Sequence, residues 1–167
     1  MNRLEFARAH KECWPGNEID GTSVIHPTAI IGDNGFGFVR QEDGLLLAMP
    51  HAGGVTIERD VIIRAYVTVD RGVLINTFIG RGTAIDHHSH IAHNVSIGRH
   101  NTLANGCIIE GSCEIGDYNT FGAGVIVQRK VKIGSWCIFG SGTVVTKDVP
   151  DRSVMIGNPA RLLKRNE

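Results

Sequence analysis

Four histidines lie within seven residues of the segment IDHHSHIAHNVSIG. His87, His88, His90 and His93 are half of the eight histidines in this chain of 167 residues. Imidazole titrates near neutral pH and also binds metal ions, so the cluster could hold a metal or contain a general base. Which of these applies depends on the direction in which each side chain points.

The elements that position these histidines repeat every six residues. From Val55 the chain divides into sixteen consecutive hexads, VTIERD to VTKDVP, each beginning with Val, Ile, Leu or Phe. In an amphipathic helix the apolar residues would recur at spacings of three and four residues, and in an ordinary strand at every second residue. A period of six, here without a slip, instead predicts a prism in which each hexad is a short strand and a turn. We therefore predict an all-β, parallel β-helical fold.

The fifth residue of each hexad supports an interior that is narrow. Fourteen of these sixteen residues are small or medium in size, and the exceptions, Arg59 and Arg71, fall in the first three hexads. Three cysteines, Cys107, Cys113 and Cys137, occupy this column, so we predict that they are small core residues. Asn101 and Asn119 stand in the same column, three hexads apart.

The fourth column is predicted to hold the turns, because Gly, Asn, Asp and His tolerate positive φ. Through the middle of the chain this column contains Asp70, Asn76, Gly82, His88, Asn94, His100 and Gly106. His88 is thereby predicted to be a turn residue, and His90, in the sixth column, carries no clear signal. His87 and His93 share the third column and are predicted to point outward on successive faces.

The column pattern also divides the chain into three parts. Ile25 to Phe36 contains two earlier hexads, predicted to be in phase with the rest because Ile31 precedes Val55 by a multiple of six. Residues 37–54 break the pattern and are predicted to form an extruded loop, a kind of segment that often carries function. We expect a lead-in at 1–24, the β-helix at 25–150 and a C-terminal cap at 151–167.

Composition restricts the partners that the protein can have. Lys and Arg number 17, as do Asp and Glu, so we expect neither nucleic acid nor a membrane surface as a partner. No apolar stretch is long enough to span a membrane, and the N-terminus has no signal-like apolar core, so we expect a cytoplasmic protein. Cys13 and the other three cysteines form no CxxC pair, so free thiols are expected, and no structural zinc site.

The hexads resemble the left-handed parallel β-helix of the hexapeptide-repeat acyltransferases. This resemblance implies three faces and three hexads per coil, so that Asn101 and Asn119 would stack as an internal ladder. VTVDRG and IAHNVSIG, together with NGFGF and a loop returning at GGVTIE, resemble the UDP-3-O-acylglucosamine N-acyltransferases over most of residues 25–140. The tail FGSGTVVTKDVPDRSVMIGNPARLLK is similar to the acetyl-CoA-dependent sugar acetyltransferases of the same superfamily. The two resemblances imply transfer of an acyl group, most simply acetyl, to an amino group of a nucleotide-linked sugar.

The resemblance also implies roles for particular residues. His93 corresponds to the general base, and Gly111 to the glycine whose N–H stabilises the oxyanion. The expected substrate contacts are Asp70, His87, Asn94, Lys130 and Trp136, where Lys130 stands in place of the family's second histidine. No bound cofactor or metal is implied; acyl-CoA is a cosubstrate, and the active sites lie between the subunits of a homotrimer.

Other functions stay open at this stage. The same machinery could acylate a sugar hydroxyl, or take its acyl group from an acyl carrier protein. His88 and His93 resemble two zinc ligands of the gamma-class carbonic anhydrases, but the stretch YVTVDRG lacks the histidine that would be the third. A trimeric scaffold without catalytic activity is a further alternative.

Overall fold

Three parallel sheets form the sides of a prism with six coils. The computed structural model describes residues 16–166, and none of these residues lies in a helix. No membrane-crossing helix therefore occurs within this range. The predicted all-β, parallel β-helix is confirmed.

Each coil contributes one short strand to each sheet. The first sheet contains β1 (Glu18–Ile19), β6 (Val55–Ile57), β9 (Thr77–Ile79), β12 (Ser96–Ile97), β15 (Glu114–Ile115) and β18 (Lys132–Ile133). The second contains β2 (Val24–Ile25), β7 (Ile62–Ile63), β10 (Ala84–Ile85), β13 (Thr102–Leu103), β16 (Thr120–Phe121), β19 (Ile138–Phe139), β21 (Ser153–Ile156) and β22 (Arg161–Arg165). The third contains β3 (Ile30–Asp33), β8 (Thr68–Asp70), β11 (His90–Ile91), β14 (Ile108–Ile109), β17 (Ile126–Val127) and β20 (Val144–Val145).

From β9 onward the coils stack with the predicted spacing of three hexads, as in the pairing of Ile97 with Ile115. The aliphatic residue that begins each hexad is buried, and so is the small residue two positions before it. The N–H of Asn119 donates to Oδ1 of Asn101 at 2.9 Å, and the N–H of Cys137 donates to Oδ1 of Asn119 at 2.7 Å. The predicted ladder is therefore present, and it satisfies backbone groups that would otherwise be unpaired in the core.

The three described cysteines are free and buried, as predicted. Burial raises the pKa of Cys107 and of Cys113 to about 11, so neither thiol ionises readily. Cys13 lies outside the described residues.

The prediction that the hexads run without a slip is wrong. The repeat would pair Ile57 with Ile75, but Ile57 pairs with Ile79, because the loop at 71–76 lengthens this coil. The sequence does not reveal this slip, because Val55 and Ile57 are both buried. The first residue of each hexad is therefore apolar before the loop at 71–76 as well as after it. Asp70 consequently ends a strand and is not a turn residue; the positive-φ residues of this coil are Asp60 and Tyr66.

The first coil also departs from the expected phase and boundary. Ile31 pairs with Val69 and Ile19 with Ile57, so Ile31 is not in phase with Val55, and strand pairing begins inside the segment 1–24 that was expected to lie outside the coil. The paired strands are more than two regular coils apart in the sequence, because a hairpin of β4 (Phe38–Arg40) and β5 (Leu46–Ala48) leaves the prism between them. At the other end, β21 pairs with β19 and β22 runs antiparallel to β21.

Candidate functional site

His93 lies on the edge where the third sheet turns into the first. We call the turns 92–95, 110–113 and 128–131 the site edge. The side-chain amide of Asn94 holds the His93 ring: Oδ1 of Asn94 lies 3.0 Å from Nδ1 of His93 and also accepts the N–H of Val73 at 3.0 Å. A carbonyl oxygen only accepts, so Nδ1 of His93 carries the proton and Nε2 keeps its lone pair. The ring is therefore oriented with Nε2 as its basic nitrogen.

Gly111 lies one coil further along the same edge and faces this nitrogen. A Cβ on Gly111 would come within 2.8 Å of both Cε1 and Nε2 of His93, so a larger residue would displace the ring. The carbonyl of Gly111 accepts the N–H of Lys130 at 3.1 Å, whereas its own N–H has no hydrogen-bond partner among residues 16–166. That N–H is available to a ligand atom placed beside His93.

Asp70 brings a carboxyl group to the site from the end of β8. Its side chain is only 11% exposed, and its Oδ2 lies 3.7 Å from Nε2 of His90. Burial raises the pKa of Asp70 to about 6, an effect that the nearby His93 opposes and Asp33 increases. A buried carboxyl that titrates this close to neutral pH can exchange protons at the pH of a cell.

His90, for which the sequence carried no signal, points outward from β11 beside Asp70. Its Nδ1 lies 2.7 Å from the hydroxyl of Thr68. Burial, and then the neighbouring His93, lower its pKa. The neutral form of this imidazole is therefore favoured at the site.

His51, which sequence reasoning missed, reaches the site from the end of the extruded loop. The N–H groups of Ala52 and Gly53 donate to the carbonyls of Val73 and Gly72 at 2.8 and 2.9 Å, which joins this loop to the loop at 71–76. The His51 ring is buried and meets the His93 ring edge to face, with centroids 5.2 Å apart. A histidine in a segment already expected to be functional was the signal that could have found it.

Gly35 shows how closely these groups converge. A Cβ on Gly35 would lie 2.7 Å from Nε2 of His51, 3.1 Å from Cδ2 of His93 and 3.2 Å from Oδ2 of Asp70. The absence of a side chain there lets three titratable groups meet at one point. The loop before β4 therefore forms one wall of the site.

The other predicted substrate contacts are more dispersed. Lys130 is an exposed turn residue of the site edge, bonded to Gly111 as described. His87 is half-exposed in the turn between the second and third sheets and pairs with Asp86. Trp136 lies on the edge between the first and second sheets, where its ring stacks on Tyr118 at 4.4 Å. Within one chain, His87 and Trp136 thus lie on other edges than His93.

An open groove of about 980 Å³ extends from the site along the outer face of the first sheet. Ile75 and Asn94 line one end, beside His93, and Pro150 lines the other. The groove therefore begins at Asn94, the residue that holds the His93 ring.

A bound metal would need several of these side chains to converge as ligands. Among residues 16–166, no group of three or more His, Cys, Asp or Glu side chains is arranged to hold a metal ion.

Comparison with known sequences agrees with this architecture. The family model described as bacterial transferase hexapeptide (six repeats) matches residues 76–111 and 112–147. The matched segments together cover 72 of the 167 residues, and they coincide with the regular coils of the prism. Over 94 residues this chain is 42% identical to the UDP-3-O-acylglucosamine N-acyltransferase of Coxiella burnetii. The aligned segment is 56% of this chain and 28% of that relative. The match thus spans less than a third of the length of that relative.

Solved structures extend the likeness beyond the matched repeats. The UDP-N-acetylglucosamine O-acyltransferase of Moraxella catarrhalis RH4 superposes with a TM-score of 0.81 at 25% identity, covering 91% of this chain and 57% of that one. PerB from Caulobacter crescentus, solved with CoA and GDP-perosamine, has a TM-score of 0.61 at 22% identity, over 94% of this chain and 61% of PerB. PerB is similar in fold alone.

Proposed function

We propose that this protein is an acyltransferase that moves an acyl group, most simply acetyl, from acyl-CoA to an amino group of a nucleotide-linked sugar. The observation that carries the proposal is the orientation of His93. Its Nδ1–H is held by Asn94, and its Nε2 lone pair faces Gly111. The similarity to a UDP-3-O-acylglucosamine N-acyltransferase supports the class of reaction and an amine as the acceptor.

The reaction would use two groups on the site edge. As the acceptor nitrogen attacks the thioester carbonyl, Nε2 of His93 takes a proton from that nitrogen, and the N–H of Gly111 donates to the oxyanion. His93 would then pass its proton to the departing sulfur of CoA, which returns the ring to its starting state.

The choice of CoA as donor rests on the C-terminal resemblance to acetyl-CoA-dependent sugar acetyltransferases. The groove along the first sheet is consistent with an extended donor beside His93. PerB, of the same fold, was solved with CoA and GDP-perosamine, so the fold can accommodate both kinds of ligand. An acyl carrier protein is the alternative donor.

We further propose that the protein is a homotrimer whose subunits complete the active sites. Large apolar side chains beside the site are exposed: Phe36 is 92%, Leu74 67% and Ile75 69% exposed. Large apolar side chains that are this exposed are typical of an interface when they lie together. Light scattering should give the mass of three chains.

The test is release of free thiol from acetyl-CoA in the presence of nucleotide-linked amino sugars. A panel of UDP-, GDP- and dTDP-linked amino sugars would be compared with the same sugars carrying an N-acetylated amine or a hydroxyl in its place. Release that depends on the free amine supports the proposal. Release only with hydroxyl sugars would reassign the acceptor, and release only from acyl carrier protein thioesters would reassign the donor.

A further inference from the structure

An amine acceptor poses a problem that a hydroxyl acceptor does not. An amine near neutral pH arrives largely as an ammonium ion, which has no lone pair and must lose one proton before it can attack. A second proton leaves during the attack itself. His93 can hold only one of them at Nε2, because Asn94 fixes the proton already on Nδ1.

His51 presents a second lone pair at the same place. Its Nδ1 lies 2.9 Å from the carbonyl oxygen of Met49, and since that oxygen only accepts, Nδ1 carries the proton. Nε2 is therefore an acceptor, and it is buried with no hydrogen-bond partner among residues 16–166. A buried acceptor without a donor lowers the stability of the folded state. Because buried acceptors in native proteins normally have a donor, this exception indicates a functional role.

The distances around Gly35 show what this lone pair faces. The Cβ position at Gly35 lies 2.7 Å from Nε2 of His51 and 3.2 Å from Oδ2 of Asp70, so the two atoms border the same small space. The Asp70 side chain keeps 11% of its surface exposed, so a ligand can reach it, whereas His51 is only 1% exposed. Asp70 can thus contact the acceptor, and His51 acts through Asp70.

We propose that Asp70 takes the first proton from an acceptor bound as an ammonium ion, with His51 accepting a hydrogen bond from the protonated carboxyl, and leaves His93 to take the second. The N–H bond of the ammonium breaks and an O–H bond forms on Asp70. The protonated carboxyl then turns across the space beside Gly35 and donates to Nε2 of His51, which has no partner before the proton arrives. The free amine attacks the thioester carbonyl, and the second proton passes through His93 to the sulfur of CoA. The proton on Asp70 returns to solvent, so one proton is released in each turnover.

The surrounding charges are consistent with this division of labour. Burial is the main cause that raises the pKa of Asp70 and lowers that of His51, so a proton on the carboxyl is tolerated while the imidazole stays neutral. The other titratable or charged groups near the pair are His93 on the site edge, His90 on β11, Asp33 on β3 and Arg71 after β8. The inference rests on the proposed amine acceptor, since a hydroxyl carries no such first proton.

Two substitutions of His51 distinguish the roles of its two ring nitrogens. His51→Asn keeps an amide near the position of Nδ1, where it can donate to Met49, and loses Nε2. His51→Gln places its amide near Nε2 and gives up the bond to Met49. The exposed His26, which contacts Thr28 far from this cluster, provides His26→Asn as a control. Melting curves and circular dichroism would establish that each variant is folded.

The experiment measures kcat/KM against pH from about 6 to 9.5 with acetyl-CoA and a UDP-linked amino sugar. We expect His51→Asn and Asp70→Asn to lower kcat/KM by at least about tenfold near pH 6.5. The loss should shrink towards pH 9, where the amine is already free, and His51→Gln and His26→Asn should stay within about threefold of the wild type.

Losses that are equal at every pH would overturn the inference while leaving the proposed function intact. So would the reverse ranking, with His51→Gln impaired and His51→Asn normal, because it would assign His51 the structural role of holding Met49. A protein that acylates only hydroxyl sugars would overturn the amine acceptor and this inference together.

Discussion

The coils before and after β9 differ in how regularly they follow the six-residue repeat. From β9 onward each turn of the prism takes three hexads, and every inward side chain packs on its equivalent in the next coil. Before β9 the coils carry two insertions, the extruded hairpin and the loop at 71–76. The site forms where the two regions meet: the regular coils supply His93 and Gly111, and the interrupted coils supply His51 and Asp70.

The regular coils provide a rigid support, whereas the insertions add further reactive side chains to the site. A stack of identical turns holds an imidazole rigidly but offers few different neighbours. Insertions cost little stability, because the entropy of closing a loop grows slowly with its length. They also bring side chains from distant parts of the sequence over the edge of the prism. Substitutions in the two regions should therefore have different consequences.

The largest expected effect is on catalysis and follows from His93→Ala. Loss of the base should lower transfer by about 10² to 10⁴-fold, with little change in melting temperature. His88→Asn, one hexad earlier, is the matched control because it also removes an imidazole and Asn tolerates the positive φ of this turn. Thiol release measures both. Near wild-type transfer by the His93 variant would remove the base from the proposal.

A stability effect comes next, in the regular coils. Asn119→Ala leaves the N–H of Cys137 and the carbonyl of Gly134 without partners in the core. We expect a loss of about 3 kcal/mol in the free energy of unfolding, measured by denaturant titration. Thr120→Ala on the exposed face of β16 should cost less than about 1 kcal/mol. Equal costs would mean that the ladder adds nothing to the coil.

Asp70→Asn should stabilise the protein, unlike a substitution in the regular coils. The folded state raises the pKa of Asp70 to about 6, so it binds this proton more tightly than the unfolded chain does. Below pH 4 the ionisation of Asp70 therefore does not affect the free energy of unfolding. As the pH rises from 4 to 6 the ionisation lowers this free energy progressively, and above pH 6 the loss is complete.

Removing that charge should raise the free energy of unfolding by roughly 2 kcal/mol at pH 7.5 and by almost nothing at pH 4. Thermal melts at the two pH values measure this difference. A variant that is less stable than the wild type at pH 7.5 would show that the carboxylate has favourable partners in the fold.

The smallest effect is expected at Trp136, far from the meeting point of the two regions. Trp136→Asn removes the stack on Tyr118 and should lower the free energy of unfolding by about 1 kcal/mol, whereas Trp136→Tyr keeps a ring there. We expect the KM for acetyl-CoA to change by less than about twofold. A several-fold rise would place Trp136 in a donor site shared between subunits, as the sequence resemblance implied.

The period of six, together with the coil of three hexads that the resemblance implied, was sufficient to predict the fold, the buried cysteines and the asparagine ladder. It was not sufficient to detect the slip at 71–76, because Val55 and Ile57 are both inward and a shifted column stays apolar. Arg59 and Arg71 were the visible signs, as large charged residues in a column reserved for small ones. A change in column composition therefore indicates a change of phase that the leading residues conceal.

By itself, the sequence determined the parts that depend on nearest neighbours: the β-helix, the regular turns and the outward direction of His93. A repeat carries this information because each coil packs mainly on the next. Only the tertiary structure decided that His51 lies against His93 and that Gly35 makes room for both beside Asp70. The reason is physical: the position of an extruded loop depends on the surface onto which it folds, and no period along the chain records that contact.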